Sequence, residues 1–166
     1  MPNKPSVLFV CTANRFRSPI AEAAFRNLLQ KRGIENNWTV GSAGNWAENG
    51  LSPIYSAAWM QVHFGIDLSK HRSRLIDRGL LMQYNLVLVM EKNQKEALQI
   101  EFPEMSQKVF MLTGLCDGPV YDIMDPFGQS EEVCLSVARE IINLIENCVD
   151  NICLRATTII KNSENI

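Results

Sequence analysis

Apolar and polar positions fall into blocks along the chain, and the length and period of each block predict an element. Ser6 to Val10 (S-V-L-F-V) is a continuous apolar run, as expected for a strand buried on both faces. Pro19 opens a helix running to about Arg32. Its apolar positions Ile20, Ala23, Ala24 and Leu28 keep helical spacing, proline suits a first turn, and Gly33 is a natural stop. Trp38 to Ala43 reads as a second strand ending at Gly44. A helix follows from Pro53 to about Phe64 and closes at Gly65, and Ser73 to Gly79 reads as a short helix. Tyr84 to Met90 is a third strand, Asn93 to Ile100 a helix and Val109 to Leu112 a short fourth strand. A loop rich in glycine and proline separates that strand from the last long helix. Ser130 serves that helix as N-cap, with Glu131 and Glu132 in its first turn. Its stripe is Val133, Val137, Ile141, Leu144, Ile145 and Val149. Leu154 to Ile160 is apolar enough to extend it, and Asn162 to Ile166 reads as a frayed tail.

Strand and helix alternate throughout, which implies a parallel sheet covered by helices on both faces. Ligands of such sheets sit at the carboxyl ends of the strands, near the switch point. The loop after the first strand is therefore the first place to look for chemistry.

Composition narrows the reading further. The 166 residues amount to about one domain, with no repeat, low-complexity tract or linker. No apolar run approaches the roughly 18 residues that a membrane-crossing helix needs. The formal net charge of −2 gives no bulk attraction to nucleic acid. Val7 to Val10 is too brief for a signal-peptide core, so a cytoplasmic protein is expected. Five cysteines, at 11, 116, 134, 148 and 153, are irregularly spaced and contain no CxxC pair. They are expected to be free thiols, and neither they nor His63 and His71 show zinc-ligand spacing.

The loop after the first strand reads Cys11-Thr12-Ala13-Asn14-Arg15-Phe16-Arg17-Ser18-Pro19. It is long enough to curl its backbone N–H groups around a tetrahedral dianion at a helix N-terminus. Arg17 can grip two oxygens of that anion as a fork. The same positive field favours a thiolate at Cys11, placed for in-line attack on phosphorus. Ser18 can donate to the sulfur and steady it as a leaving group. Cys-x5-Arg by itself recurs by chance. Its place between a strand and a helix, with Ser-Pro at the junction, gives it weight. Neither GxxxxGK[ST] nor GxGxxG occurs, which disfavours a nucleotide-phosphate cradle.

The segment V-C-T-A-N-R-F-R-S-P-I-A-E-A resembles the signature V-C-x-G-N-x-C-R-S-P-x-A-E of the low-molecular-weight protein tyrosine phosphatase family. Gly41-Ser42-Ala43-Gly44, Gly65-Ile66, His71-Arg72-Ser73-Arg74, Val89-Met90-Glu91 and Asp125-Pro126-Phe127-Gly128 resemble further family segments in the same order. The resemblance spans about residues 6 to 147. It implies a single α/β domain, flavodoxin-like, whose doubly wound four-stranded parallel sheet has the order 2-1-3-4. A phosphatase domain over 1–150 would be followed by an extension over 151–166.

The resemblance also implies roles. Cys11 matches the nucleophile, Arg17 the phosphate-binding arginine and Ser18 the hydroxyl that stabilises the thiolate. Asn14 matches the residue that holds the loop in a left-handed turn, and Ser42 and His71 match its hydrogen-bonding supports. Thr12, Ala13, Arg15 and Phe16 complete the phosphate loop. Three positions depart from the pattern. Ala13 stands for the loop glycine, a mild change if its φ is negative. Phe16 stands for the second loop cysteine, and Arg15 for a usual aliphatic residue at the cleft rim, where it favours acidic peptide flanks.

A phenolate leaves well only if protonated as it departs, a service worth roughly 10²–10⁴-fold. Asp125 matches the family's general acid and could later activate water; Asp122, three residues earlier, is the alternative. Trp46 and Phe127 sit in glycine-rich loops, and the resemblance makes them walls that sandwich an aromatic ring. His63 reads as structural. Cys134 and Cys148 read as core packing, while Cys116, in the loop before the acid, could approach the site as a resolving thiol.

The function implied is hydrolysis of phosphotyrosine in proteins through a phosphocysteine intermediate, with no metal and no cofactor. Its partners would be phosphotyrosine-containing proteins and a cognate tyrosine kinase, without nucleic acid or membrane. The alternatives are a thiol-coupled arsenate reductase, which needs relay cysteines such as Cys116, and a non-catalytic anion-binding module, which needs no acid.

Overall fold

In the computed structural model, which describes residues 4–164, the first strand β1 (Ser6–Cys11) is buried along its whole length. It lies at the centre of the sheet, hydrogen-bonded in parallel to β2 (Thr39–Gly44) on one side and β3 (Leu86–Val89) on the other. The fourth strand, β4 (Val109–Met111), pairs with β3, so the all-parallel order is β2-β1-β3-β4, as the alternation and the family resemblance implied. A strand with partners on both edges and helices over both faces has no solvent-facing side, which is why Val7 to Val10 do not alternate, and the one polar residue, Ser6, is buried with its hydroxyl donating to Asn85 Oδ1 at 2.6 Å.

The five α-helices among the described residues are α1 (Arg17–Lys31), α2 (Ala57–Phe64), α3 (Arg78–Met82), α4 (Lys92–Glu101) and α5 (Glu131–Glu164). Side chains of β1 alternate between two cores. Val7, Phe9 and Cys11 face the core shared with α1 and α5, while Leu8 and Val10 face the core under α3 and α4. In the first core Phe25 of α1 is fully buried, with ring centroids 5.8 Å from Phe9 and 5.5 Å from Trp38. Burying a ring of that size is worth about 3 kcal/mol. This packing fixes the start of α1, and with it Arg17, against the end of β1.

Three expected elements shift, each because a tertiary bond claims the backbone. The first helix begins at Arg17, two residues before Pro19. The second begins at Ala57 with Ser56 as its cap, since the Ile54 N–H donates to the Arg15 carbonyl at 3.0 Å and holds the preceding residues extended. Residues 73–77 are not helical. The Ser73 N–H donates to Leu51 O, the Gly44 N–H to Arg74 O and the Ile76 N–H to Gly44 O, so the segment runs beside the end of β2. The helix starts only at Arg78, capped by Asp77, whose Oδ1 accepts from the Leu80 N–H.

The expectation of five free thiols is corrected. Cys116 and Cys148 form a disulfide, with Cα atoms 5.1 Å apart, that ties the segment after β4 to α5. Their loop and helix positions, 32 residues apart, gave no spacing signal. Cys148 is thus a cross-link as well as a core residue. Cys11, Cys134 and Cys153 are free. No helix among the described residues is long and apolar enough to cross a membrane. The expected frayed tail is corrected at 162–164, where α5 continues, and its last positions, 165–166, lie outside the described residues.

Candidate active site

The turn that carries the site begins where β1 ends. Cys11 is the last residue of the strand, Arg17 the first of α1, and the five residues between form the loop. Cys11 Sγ lies 3.0 Å from Ser18 Oγ, so the thiol and the hydroxyl share a hydrogen bond. Only 3 % of Cys11 and 1 % of Arg17 is exposed. A thiol and a guanidinium so deep in the protein can meet only a ligand that enters the loop.

Asn14 organises this turn. Its φ is 54°, making it the one non-glycine residue with positive φ among those described. Ala13 therefore has negative φ, and replacing glycine there carries no backbone strain. The buried Asn14 side chain donates to Ser18 Oγ and to Ser42 Oγ, both at 2.9 Å, and its Oδ1 accepts from the Arg74 N–H at 3.0 Å. His71 Nε2 bonds the Asn14 carbonyl at 2.7 Å, and Ser42 Oγ donates to Glu22 Oε2 at 2.7 Å. Gly44 completes the support: a Cβ there would come 2.4 Å from the Thr12 carbonyl oxygen, so only glycine lets the loop sit against β2.

Arg17 is held from the opposite side. Its Nη1 donates to Glu91 Oε1 and, at 2.8 Å, to the Ile123 carbonyl. Its Nη2 donates to Asp125 Oδ2 at 2.7 Å, with Thr12 Oγ1 at 3.5 Å. Glu91 also caps α4, and Gln94 bridges Glu91 Oε1 and Thr12 Oγ1 at 3.1 Å each. Glu91 entered the sequence reading only as the end of the Val89-Met90-Glu91 segment, with no role, and Gln94 not at all. The available signal was position: Glu91 follows the end of β3, next to β1, where ligands of parallel sheets bind. Asp122 is occupied elsewhere, its Oδ1 accepting the Lys92 N–H at 2.7 Å, so the structure brings Asp125 to the arginine and leaves Asp122 outside.

The aromatic residues flank this assembly. Trp46 is 83 % exposed and its N–H donates to the Thr12 carbonyl; Phe127 is 73 % exposed and its N–H donates to Asp125 Oδ1. The backbone of Trp46 is thus tied to the phosphate loop and that of Phe127 to Asp125, while both side chains stay in solvent. Arg15 Nε donates to the Ser52 carbonyl at 2.8 Å on the rim. Phe16 turns inward, 5.8 Å from the Tyr55 ring, which stacks on Trp59 at 4.1 Å. Tyr55 hydrogen-bonds Cys134, and with its burial this pushes the phenol up to about 12. Cys134 also donates to the Pro126 carbonyl at 3.6 Å, so it braces the wall. His63 packs against Trp59 and lies apart from the loop. Cys116, bonded to Cys148, is not available to Cys11. No cluster of metal ligands occurs among the described residues.

Comparison with known proteins places these features in a family. The family described as "Low molecular weight phosphotyrosine protein phosphatase" matches residues 6–164. A protein-arginine-phosphatase of Bacillus subtilis is 33% identical over 141 residues, covering 84% of this chain and 91% of that protein. A probable low molecular weight protein-tyrosine-phosphatase, EpsP, of Ralstonia nicotianae is 33% identical over 145 residues, covering 87% and 91%. The crystal structure of a low molecular weight protein tyrosine phosphatase from T. tengcongensis superposes with a TM-score of 0.80 at 34% identity, over 89% of this chain and 99% of that one.

Proposed function

The chain belongs to the low molecular weight phosphotyrosine protein phosphatase family, and we propose that it hydrolyses phosphotyrosine in proteins by way of a phosphocysteine on Cys11. The phosphoryl dianion enters the loop and takes the fork of Arg17. Cys11 Sγ attacks phosphorus, the S–P bond forms, and the P–O bond to the phenol breaks. Asp125 gives its proton to the departing oxygen. The same carboxylate then takes a proton from water, which attacks phosphorus. The S–P bond breaks, its electron pair returns to sulfur, and the Ser18 hydroxyl donates to the thiolate. Inorganic phosphate leaves.

The observation that carries this reading is the shared guanidinium. Arg17 lies one residue from Ser18, which bonds the thiol, and its other end holds Asp125 at 2.7 Å. Nucleophile, anion fork and acid are thereby assembled from β1, α1 and the loop before α5. An anion-binding module would not need the third. The arsenate-reductase reading is not favoured: the matched relatives are phosphatases, and the relay thiol it would use, Cys116, is bonded to Cys148.

Relatives of both names, tyrosine and arginine phosphatase, lie at similar identity, so the substrate side chain has to be argued from the rim. Trp46 and Phe127 offer ring faces on either side of the mouth. Arg15 makes no salt bridge among the described residues and adds a positive charge there. A phosphoarginine would bring its own cationic guanidinium to that rim. Two like charges 4 Å apart repel by about 1 kcal/mol in water and about 4 kcal/mol in a partly buried setting. A phosphotyrosine brings a neutral ring. The test compares phosphotyrosine and phosphoarginine versions of one peptide with the wild type and Cys11→Ser. We expect kcat/KM to favour phosphotyrosine at least about tenfold, since 1.4 kcal/mol is a factor of ten. Cys11→Ser should turn over neither while still binding phosphate. Equal use of both peptides overturns the substrate assignment, and steady turnover by Cys11→Ser overturns the mechanism.

A further inference from the structure

A cleft of about 630 Å³ opens behind the phosphate loop, between α1, the end of β2 and residues 67–74. None of Cys11, Trp46, Asp125 and Phe127 borders it. Its basic side chains are Arg26, Lys70, Arg72 and Arg74, against the acids Glu22 and Asp67. Both acids are already engaged. Glu22 takes the Arg26 guanidinium and the Ser42 hydroxyl, and Asp67 takes the Ser69 N–H at 2.9 Å, its pKa lowered by the Ser69 side chain and backbone and by the nearby Lys70 charge. The Arg72 guanidinium meets only the carbonyls of Ser69 and His71, and that of Arg74 only Ser42 O and Tyr84 Oη. Among the described residues neither makes a salt bridge. Four cationic side chains thus face two carboxylates in one concavity, an excess of two positive charges, and among the described residues neither the Arg72 nor the Arg74 guanidinium has a carboxylate partner.

The volume is that of a site for a small organic ligand. Arginine forks match phosphate oxygens better than a compact ammonium does, and several such groups together favour more than one phosphate. We propose that this cleft is a second, non-catalytic site that binds a small polyphosphate-bearing molecule. Its occupant would sit one layer from the catalytic loop. Ser42, His71 and Arg74, which border the cleft, are the three residues that clamp Asn14, and Asn14 holds Ser18 against Cys11. The cleft is therefore separated by these three residues from Asn14, the only positive-φ non-glycine residue described in the loop.

Titration calorimetry with inorganic triphosphate tests this on Cys11→Ser protein, where no turnover intervenes. We expect two binding events per chain, one in the phosphate loop and one in the cleft. Adding Lys70→Gln and Arg72→Gln, both exposed positions, should weaken the second event about tenfold or more and leave the first unchanged, since hydrogen bonds to charged groups are the stronger kind. A single event that persists unchanged in the triple variant overturns the proposal. A single event lost on removing Lys70 and Arg72 upholds the cleft and overturns the phosphate-loop reading instead.

Discussion

Asp125 and Arg17 hold each other across the site, with the carboxylate Oδ2 2.7 Å from Nη2. Arg17 is nearly fully buried, whereas the Asp125 side chain is 46 % exposed and belongs to a loop. The pair is therefore asymmetric: the arginine is fixed and the carboxylate can move. A phosphoryl dianion that takes the Nη2 edge displaces the carboxylate from it. In the mechanism proposed above, the released carboxyl, once it has taken up a proton, can turn toward the leaving oxygen, so binding the substrate frees the group that acts as acid.

Asp125→Asn separates that acid from the nucleophile. An activated phenol needs little protonation as it leaves, while a phenol of high pKa needs much. The variant should lose about 10²–10⁴-fold in kcat on poor leaving groups and far less on p-nitrophenyl phosphate. Equal losses across a leaving-group series would show that Asp125 is not the acid, and Asp122 would be examined next.

Glu91 is the positioning residue for Arg17. It and the Ile123 carbonyl take Nη1, which leaves the rest of the guanidinium for phosphate. Glu91→Gln should raise the inhibition constant of inorganic phosphate about tenfold and lower kcat/KM to a similar degree, the range expected for one charge-assisted hydrogen bond. The loss should be the same for good and poor leaving groups, unlike that of Asp125→Asn. An unchanged phosphate constant with a lowered melting temperature would reduce Glu91 to its role as cap of α4.

The strands were legible because a run such as Leu86 to Val89, buried on both faces, can hardly be anything else. The phosphate loop was legible because Cys11, Arg17 and Ser18 are adjacent in sequence. What the sequence hid is what long-range bonds decide. Residues 73–77 have helical composition, yet Ser73, Arg74 and Ile76 give their backbone groups to Leu51 and Gly44. Glu91 stands 74 residues from its partner Arg17, and nothing local to either points to the other. Cys116 and Cys148 are equally silent until the chain folds.

That disulfide has a measurable weight. Closing a loop over a separation of 32 residues restricts the unfolded chain by about 3–4 kcal/mol. Cys116→Ser should lower the melting temperature by about 10 °C for a chain of this size. Reductant should do the same to the wild type and nothing further to the variant. A wild-type melting temperature indifferent to reductant, with both thiols alkylated in the folded protein, would show that the bond is not formed.

The bond also decides how the site answers oxidation. Peroxide converts a thiolate to sulfenic acid and then, if no thiol intervenes, irreversibly onward. The position next to Arg17 that holds a cysteine in the family signature holds Phe16 here, packed inward against Tyr55. Cys116 is bonded to Cys148, and Cys134 is buried on Pro126 O and Tyr55. Cys153, the remaining free thiol, lies beside Arg32 and Asp150 at the far end of α1 from the loop, so Cys11 is left without a resolving thiol. Activity lost to mild peroxide should recover poorly with added thiol, and mass spectrometry should find sulfinic acid at Cys11. Phe16→Cys should restore recovery, though removing a buried ring costs about 3–5 kcal/mol, so its melting temperature must be followed alongside. A Cys11–Cys116 or Cys11–Cys134 disulfide, with activity fully regained on reduction, would refute this. It would mean that the Cys116–Cys148 pair or the wall around Cys134 opens in solution.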